Sequence, residues 1–299
     1  MAVASATTLA EALQTHFQPA MVKTFYEGTP IIDFLGTTPA KSGKAIEWQV
    51  NTTGNDSAET YSEAAAAPTG GSQAYYSPSV AFNHFQAVSH ISGHAKDAMK
   101  GGYFDGAIKE IQGTVSALAH LAEETIMADI VAAIAIDANY GSIDRTTMGM
   151  DAFNVAAGSV ALSIEDMEDC WEAMHIEPRI CDMSDFFFFC AAEQDMAYQR
   201  AADGLGGVNL NLNLGATLDV GRAQSSRAFN GSPIIVFPTL TNTYMYGSKK
   251  SDLLIEELRP ITIVPMGVTE DADKFLVTWA GKAVHLNPGR ATYISGLST

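Results

Sequence analysis

The sequence has 299 residues, 47% of them hydrophobic, with 17 basic against 34 acidic side chains, a formal net charge of −17 and an isoelectric point near 4.6. That apolar content is enough to bury a sizeable core and excludes a chain that is mainly disordered. So acidic a surface repels phosphate backbones, which disfavours a nucleic-acid reader working by counterion release.

Residues 1–43 read as an arm. Thr8-Leu9-Ala10-Glu11 fits a capping box, and Leu9, Leu13 and Phe17 then recur at helical spacing until Pro19. A second short amphipathic piece around Val22–Tyr26 is interrupted by Gly28, Pro30, Gly36 and Pro39. Such an arm is too short and broken to bury its own apolar side chains, so it is expected to lie on something else. No secretory leader is expected at the start of the sequence, because its first basic residue is Lys23.

From Lys44 to Asn51 the alternation is clean, with Ile46, Trp48 and Val50 on one face of a half-buried strand. A second strand is predicted over Pro78–Ser92, with Val80, Phe82 and Val88 on one face and Phe85 and Ile91 on the other. Between them, Thr53–Ser77 is rich in Gly, Ser, Thr and Ala, a length that marks a functional projection. No Lys or Arg occurs from Asn51 through Ala95. A two-stranded ribbon is marginal by itself in water, so its aromatic and β-branched side chains call for a second surface, and a neighbouring subunit is the expected supplier.

The strongest periodicity follows. Ile108, Ile111, Val115, Leu118, Ala122, Ile126, Ile130 and Ile134 step by three or four, no proline lies between Tyr103 and Asn139, and Asn139-Tyr140-Gly141 supplies a stop. The helix predicted there is roughly 50 Å long, better suited to spanning an extended plate than to filling a globule.

From Ala152 the pattern becomes mixed. Ser163 with Asp166 starts a helix presenting Ile164, Met167, Trp171 and Met174, which Pro178 ends. Phe186–Cys190 reads as a strand covered on both sides, and Glu193–Ala202 as a helix. Asn209–Leu214 alternates strictly, and Asn230-Gly231 is a hairpin turn before a strand at Ile234–Phe237. Four further strands are predicted at Leu253–Glu257, Ile261–Val264, Phe275–Trp279 and Ala283–Leu286.

Motifs that would carry chemistry are incomplete. Around Gly43-Lys44 a phosphate loop would need Gly at Thr38 and a hydroxyl at Ala45. His175-Ile176-Glu177-Pro178 with Cys181 lacks the second cysteine that would close a zinc deaminase site, since Ser184 stands there. His84 and His90 share a strand face but lie roughly 20 Å apart, too far for one metal. The three cysteines, Cys170, Cys181 and Cys190, are odd in number and set in apolar surroundings, which points to reduced thiols. The longest apolar runs, Ile130–Ile136 and Phe186–Ala192, are far short of the about 20 residues a membrane helix requires. The expectation is a protein without catalytic residues, metal or cofactor, and without a membrane segment.

The order of broken arm (Leu9–Leu35), acidic ribbon (Lys44–Ser92), long helix (Phe104–Ala138), aromatic strand-to-helix run (Pro178–Tyr198) and Gly-then-strand segment (Phe229–Val236) resembles a tailed-bacteriophage major capsid protein. The resemblance covers nearly the whole chain and lies in this order of elements. It implies an α+β fold: an N-terminal arm at 1–43, an extended β-ribbon loop at 44–95, a peripheral domain with the spine helix at 96–144 and 251–281, and an axial α/β domain at 145–250 and 282–299. It further implies a virion shell subunit made in the host cytoplasm. That subunit would assemble with itself into hexamers and pentamers around double-stranded DNA that it does not read by sequence. A separate scaffolding protein, or a scaffolding segment already removed, a portal and room for a cement protein complete the implied partners. In some members a ribbon lysine cross-links to a neighbouring asparagine; the absence of lysine from Asn51 to Ala95 predicts no such ladder here.

The contact residues expected from this reading are Ile46, Trp48, Val80, Phe82 and Phe85, burying the ribbon against a neighbour, and Leu9, Leu13 and Phe17, docking the arm. Three alternatives stay open on the sequence: an encapsulin-like compartment shell of the same fold, a cytosolic acidic α/β enzyme using the region of His175 and Cys181, and a phage tail or decoration protein, against which the long helix counts.

Overall fold

The computed structural model describes residues 25, 29–41, 43–53, 70–71, 73–92, 103–136, 139–141, 143–144, 150–176, 183–204, 227–269 and 272–298. Leu9, Leu13, Phe17, Cys181 and the alternating Asn209–Leu214 stretch lie outside them.

Helix α1 (Pro30–Leu35) starts on Pro30, whose fixed φ suits a first helical position and whose missing N–H costs nothing there. The sequence treats this proline as an interruption; it is a start. Strand β1 (Thr38–Pro39) follows. The ribbon consists of β2 (Ala45–Glu47) against β5 (Ser79–Ala81) and β3 (Val50–Thr53) against β4 (Ala74–Tyr76), both antiparallel. Strand β6 (Asn83–Ser92) then leaves the ribbon and joins a four-stranded sheet.

Helix α2 (Tyr103–Val131) runs into a wider π turn at Ala132–Ile136, so the predicted rod is present with its last turn loosened. Ile111, Val115, Leu118, Ala122, Ile126, Ile130 and Ile134 are all buried, as the three-four spacing requires. A two-strand turn follows, β7 (Asn139–Tyr140) and β8 (Ile143–Asp144), with Gly141 at φ 63° where a left-handed residue is needed.

After β9 (Phe153–Val160) comes α3 (Ile164–His175), which begins with a complete capping box: the Asp166 N–H donates to Ser163 Oγ, and the Ser163 N–H to the Asp166 carboxylate. Strand β10 (Phe186–Cys190) and helix α4 (Ala192–Gly204) come next. Strands β11 (Arg227–Phe229) and β12 (Ser232–Val236) are joined by Asn230-Gly231 at φ 47° and 90°, the positive values an Asn-Gly hairpin turn provides. Strand β13 (Tyr244–Lys249), β14 (Leu253–Thr269), β15 (Ala272–His285) and β16 (Thr292–Leu297) complete the chain.

The four strands predicted after Leu253 are fused into two. β14 passes through Leu258-Arg259-Pro260 by shifting register against β15 on both sides of Arg259, which is how a strand carries a proline without ending. On β15 the continuity runs through Gly281, where a Cβ would come within 2.6 Å of the Trp279 ring.

Two sheets organise these elements. One has the order β1-β14-β15-β6 and carries α2 on one face; the other has the order β11-β12-β10-β13-β16-β9, with α3 and α4 packed on it. The four phenylalanines of β10 show how the two share a core. Phe187 and Phe189 face the cluster built on α2, Trp279 and Phe275, whereas Phe186 and Phe188 face a second cluster with Met167, Cys170 and Met174 of α3. A strand covered on both sides must be apolar at every position, and this one is.

Candidate assembly interface

The ribbon sets Ile46 opposite Val80, but each expected strand is broken, Lys44–Asn51 between β2 and β3 and Pro78–Ser92 between β5 and β6. What covers it differs from the expectation. Ile46 (2% exposed) and Phe82 cluster with Val284, and Ala40, Trp48, Val80, Leu254, Leu258 and Leu286 pack around them. The Trp48 indole N–H donates to the Leu286 carbonyl at 3.0 Å, while its ring touches Val50 and Met150. Phe85 belongs to the main core, its ring 5.3 Å from that of Trp279, which Phe25 approaches from the arm at 5.5 Å.

Ile46, Phe82 and Phe85 are covered by their own chain, and Trp48 and Val80 are half covered by it. The long β14–β15 hairpin supplies that cover. Its Leu254, Leu258 and Val284 sit beside the ribbon root, more than 150 residues away in sequence. The root of the ribbon is thus an intramolecular joint. Part of the arm behaves likewise, since Phe25, Ile31 and Ile32 are buried in the same core as α2.

The apolar side chains that stay uncovered lie elsewhere. Near the ribbon's far end, Tyr75 (59% exposed) and Tyr76 (37%) stand out on β4. On the sheet face away from α2, Val88 of β6, Leu276 of β15 and Val264 of β14 stand in register as one row across three strands. Val88 and Val264 are about half exposed. The next row is His90, Lys274 and Met266, also partly or fully open to solvent. His84, two steps from Gln86 on the same face, is exposed too. The alternation in Pro78–Ser92 separates Val88 from Phe85 and Ile91 correctly, but only the sheet shows which face is covered.

Of the residues considered for chemistry, His175 and Cys170 have structural partners. His175 is exposed at the end of α3, with Nδ1 2.8 Å from the Trp171 carbonyl oxygen and its ring against the Trp171 ring. Burial pushes the Cys170 thiol up to about 12, helped by the charges of Asp166 and Asp169 and opposed by a Thr292 hydrogen bond, so it is held as an unreactive thiol. Among the described residues no group of three or more His, Cys, Asp or Glu side chains is placed to hold a metal ion, and no helix is long and apolar enough to cross a membrane.

This arrangement of ribbon, long helix and two sheets matches solved structures over almost the full chain. The capsid of cyanophage A-1(L) superposes with a TM-score of 0.69 at 14% identity, covering 91% of this chain and 93% of that one. The chain has the tailed-phage major capsid fold. Encapsulins share it: the SrpI encapsulin from Synechococcus elongatus matches at a TM-score of 0.60 and 13% identity over 100% of this chain and 97% of that one. The Gordonia phage Cozz structure matches at 0.58 and 15% over 91% and 87%. No protein-family model and no curated protein matches the sequence.

Proposed function

We propose that this protein is the structural subunit of an icosahedral phage capsid, assembling with itself into hexamers and pentamers that enclose double-stranded DNA, and that it is not an enzyme. The observation that carries the reading is the match to the cyanophage A-1(L) capsid, which covers 91% of this chain and 93% of that one. The domain division belongs to the same proposal, with α2 and the β14–β15 hairpin taken as peripheral and β9–β13 with β16 as axial. Three boundaries move in this reading: β1 of the arm and β6 of the ribbon are strands of the peripheral sheet, and β15 of that sheet runs to His285.

The surfaces proposed to meet a neighbour are the exposed tyrosines of β4 and the open sheet face around Val88, Leu276, Val264 and Met266. Trp48 and Val80, half covered at the ribbon root, and the arm residues Leu9, Leu13 and Phe17 are proposed as further contacts. Each contact is small. Many of them closed into a lattice add up steeply, because every bond after the first forms at high effective concentration. The charge of −17 suits a wall that must not bind the DNA behind it. Location in the virion, synthesis in the host cytoplasm, and a scaffolding protein, a portal and a cement protein as partners belong to the same proposal.

Electron microscopy of the purified chain tests it: closed shells are expected, and a discrete monomer at high concentration would refute assembly. A second reading, an encapsulin-like compartment, is favoured by the encapsulin that matches this chain along its entire length. Particles purified from the native source decide between the two, since packaged DNA with a portal vertex marks the phage and enclosed enzyme marks the compartment.

A further inference from the structure

On α2, Lys109, Glu110, His120 and Glu124 point to solvent, but Glu123 is 3% exposed and lies among Ala119, Ala122, Ile126 and Met127, all buried. A carboxyl group in such a place needs a reason, because burying its charge is costly unless the charge is met. What meets it comes from the arm side. The Ile31 N–H of α1 donates to the Glu123 carboxylate, 3.0 Å from Oε1 and 3.3 Å from Oε2. Around this contact Ile31 and Ile32 are buried, and the buried Thr29 hydroxyl donates to the Phe25 carbonyl at 3.1 Å. Glu123 therefore sits where the chain coming from the N-terminus is fastened to the spine helix.

We infer that Glu123 is a proton-operated latch: with its carboxyl protonated it holds the segment Thr29–Leu35 on α2, and on ionising it loosens that segment while the rest of the core stays closed. The inference does not depend on the shell reading. Charged and titratable groups on the elements packed here are Asp33 of α1 and Arg259 of β14, exposed; Glu256 of β14, buried; Glu257, whose Oε1 accepts the Trp279 indole N–H; Lys250, whose ammonium lies over the Phe34 ring; His84 and His90 of β6, exposed; Asp273 and Lys274 of β15, half-buried; His285 of β15, buried; and Lys282 of β15, paired with Asp129 of α2. None of them enters the balance at Glu123. Burial raises its pKa from 4.5 to about 7, and the Ile31 N–H pulls it back only in part.

The sign follows from proton linkage. The docked state keeps its proton up to about pH 7, whereas the undocked carboxyl loses it near 4.5. Docking is therefore tightest below the lower value, weakens as pH rises between the two, and levels off above the higher. A protonated carboxyl still accepts the Ile31 N–H through its carbonyl oxygen, so the hydrogen bond survives while the cost of a buried charge disappears.

Amide hydrogen exchange of the full chain, expressed as protection over the intrinsic rate at each pH, tests this. Protection of Ile31 is expected to fall about tenfold or more between about pH 5 and about pH 8. The amides of Val115 and Ile126 should keep theirs, and in Glu123→Gln the Ile31 profile should be flat. A flat wild-type profile overturns the latch, as does a Glu123→Gln profile that keeps the wild-type slope. So does a parallel loss at Val115 and Ile126, which would mean global opening. Should the variant fail to fold, the wild-type profile with its two internal controls still decides.

Discussion

The two faces of the β6–β15–β14 sheet differ in make-up and in fate, because the open one sets Val88, Leu276, Val264 and Met266 among His84, Gln86, His90, Lys274, Thr262 and Thr278. On one face Phe85, Phe275, Val277 and Trp279 are sealed under α2. On the other, Val88, Leu276 and Val264 form a row of the same chemistry that the chain leaves open. The first face stabilises the subunit. The second, on the shell reading, stabilises the assembly, and its hydrophobicity is spent between molecules instead of within one.

The largest test of this contrast is on the sealed face. Trp279→Ala removes an indole packed against Phe25 and Phe85 together with its hydrogen bond to Glu257. It should cost about 3–5 kcal/mol of subunit stability in urea unfolding, and assembly should fail as a consequence. A loss under about 1 kcal/mol would mean that this face is not the core.

Trp48→Ala comes next. Because the indole is tied to the Leu286 carbonyl inside one chain, about 2 kcal/mol of subunit stability should go with it, and shell yield should drop in proportion. A variant that unfolds like wild type yet cannot assemble would make Trp48 a contact of the neighbour alone.

The smallest effect on the subunit, and the sharpest on the shell, is expected from Val88→Asp combined with Val264→Asp. Unfolding should shift by about 0.5 kcal/mol or less per substitution, since both sites already face water. Light scattering should nevertheless show assembly strongly reduced, because each charge is repeated at every copy of the contact. Normal shells from this double variant would show that the open face stays open.

Some of this structure is legible residue by residue. The core stripe of α2 from Ile111 to Ile134, the Ser163–Asp166 capping box and the Asn230-Gly231 turn each depend on a few neighbouring residues, and each is in place. The contact residues are harder. Ile46, Phe82 and Phe85 have the right chemistry for a neighbour, but equally so for Val284 and Trp279 of their own chain. Nothing local to Lys44–Asn51 says which of these arrives. The same limit explains the split strands of the tail, since a proline stops a strand locally yet is carried through when the partner strand shifts register around it.

What the sequence determined by itself was the set of elements and their order, because helical and strand periodicity, caps and turns are properties of the backbone within a few residues. That order was enough to point to a capsid-like fold. What only the tertiary structure decided was which apolar surface is core and which is left over. Trp48 meets Leu286 across 238 positions of chain, and Glu123 meets Ile31 across 92. Burial is a property of the pair, and no residue carries its partner's address in its own neighbourhood.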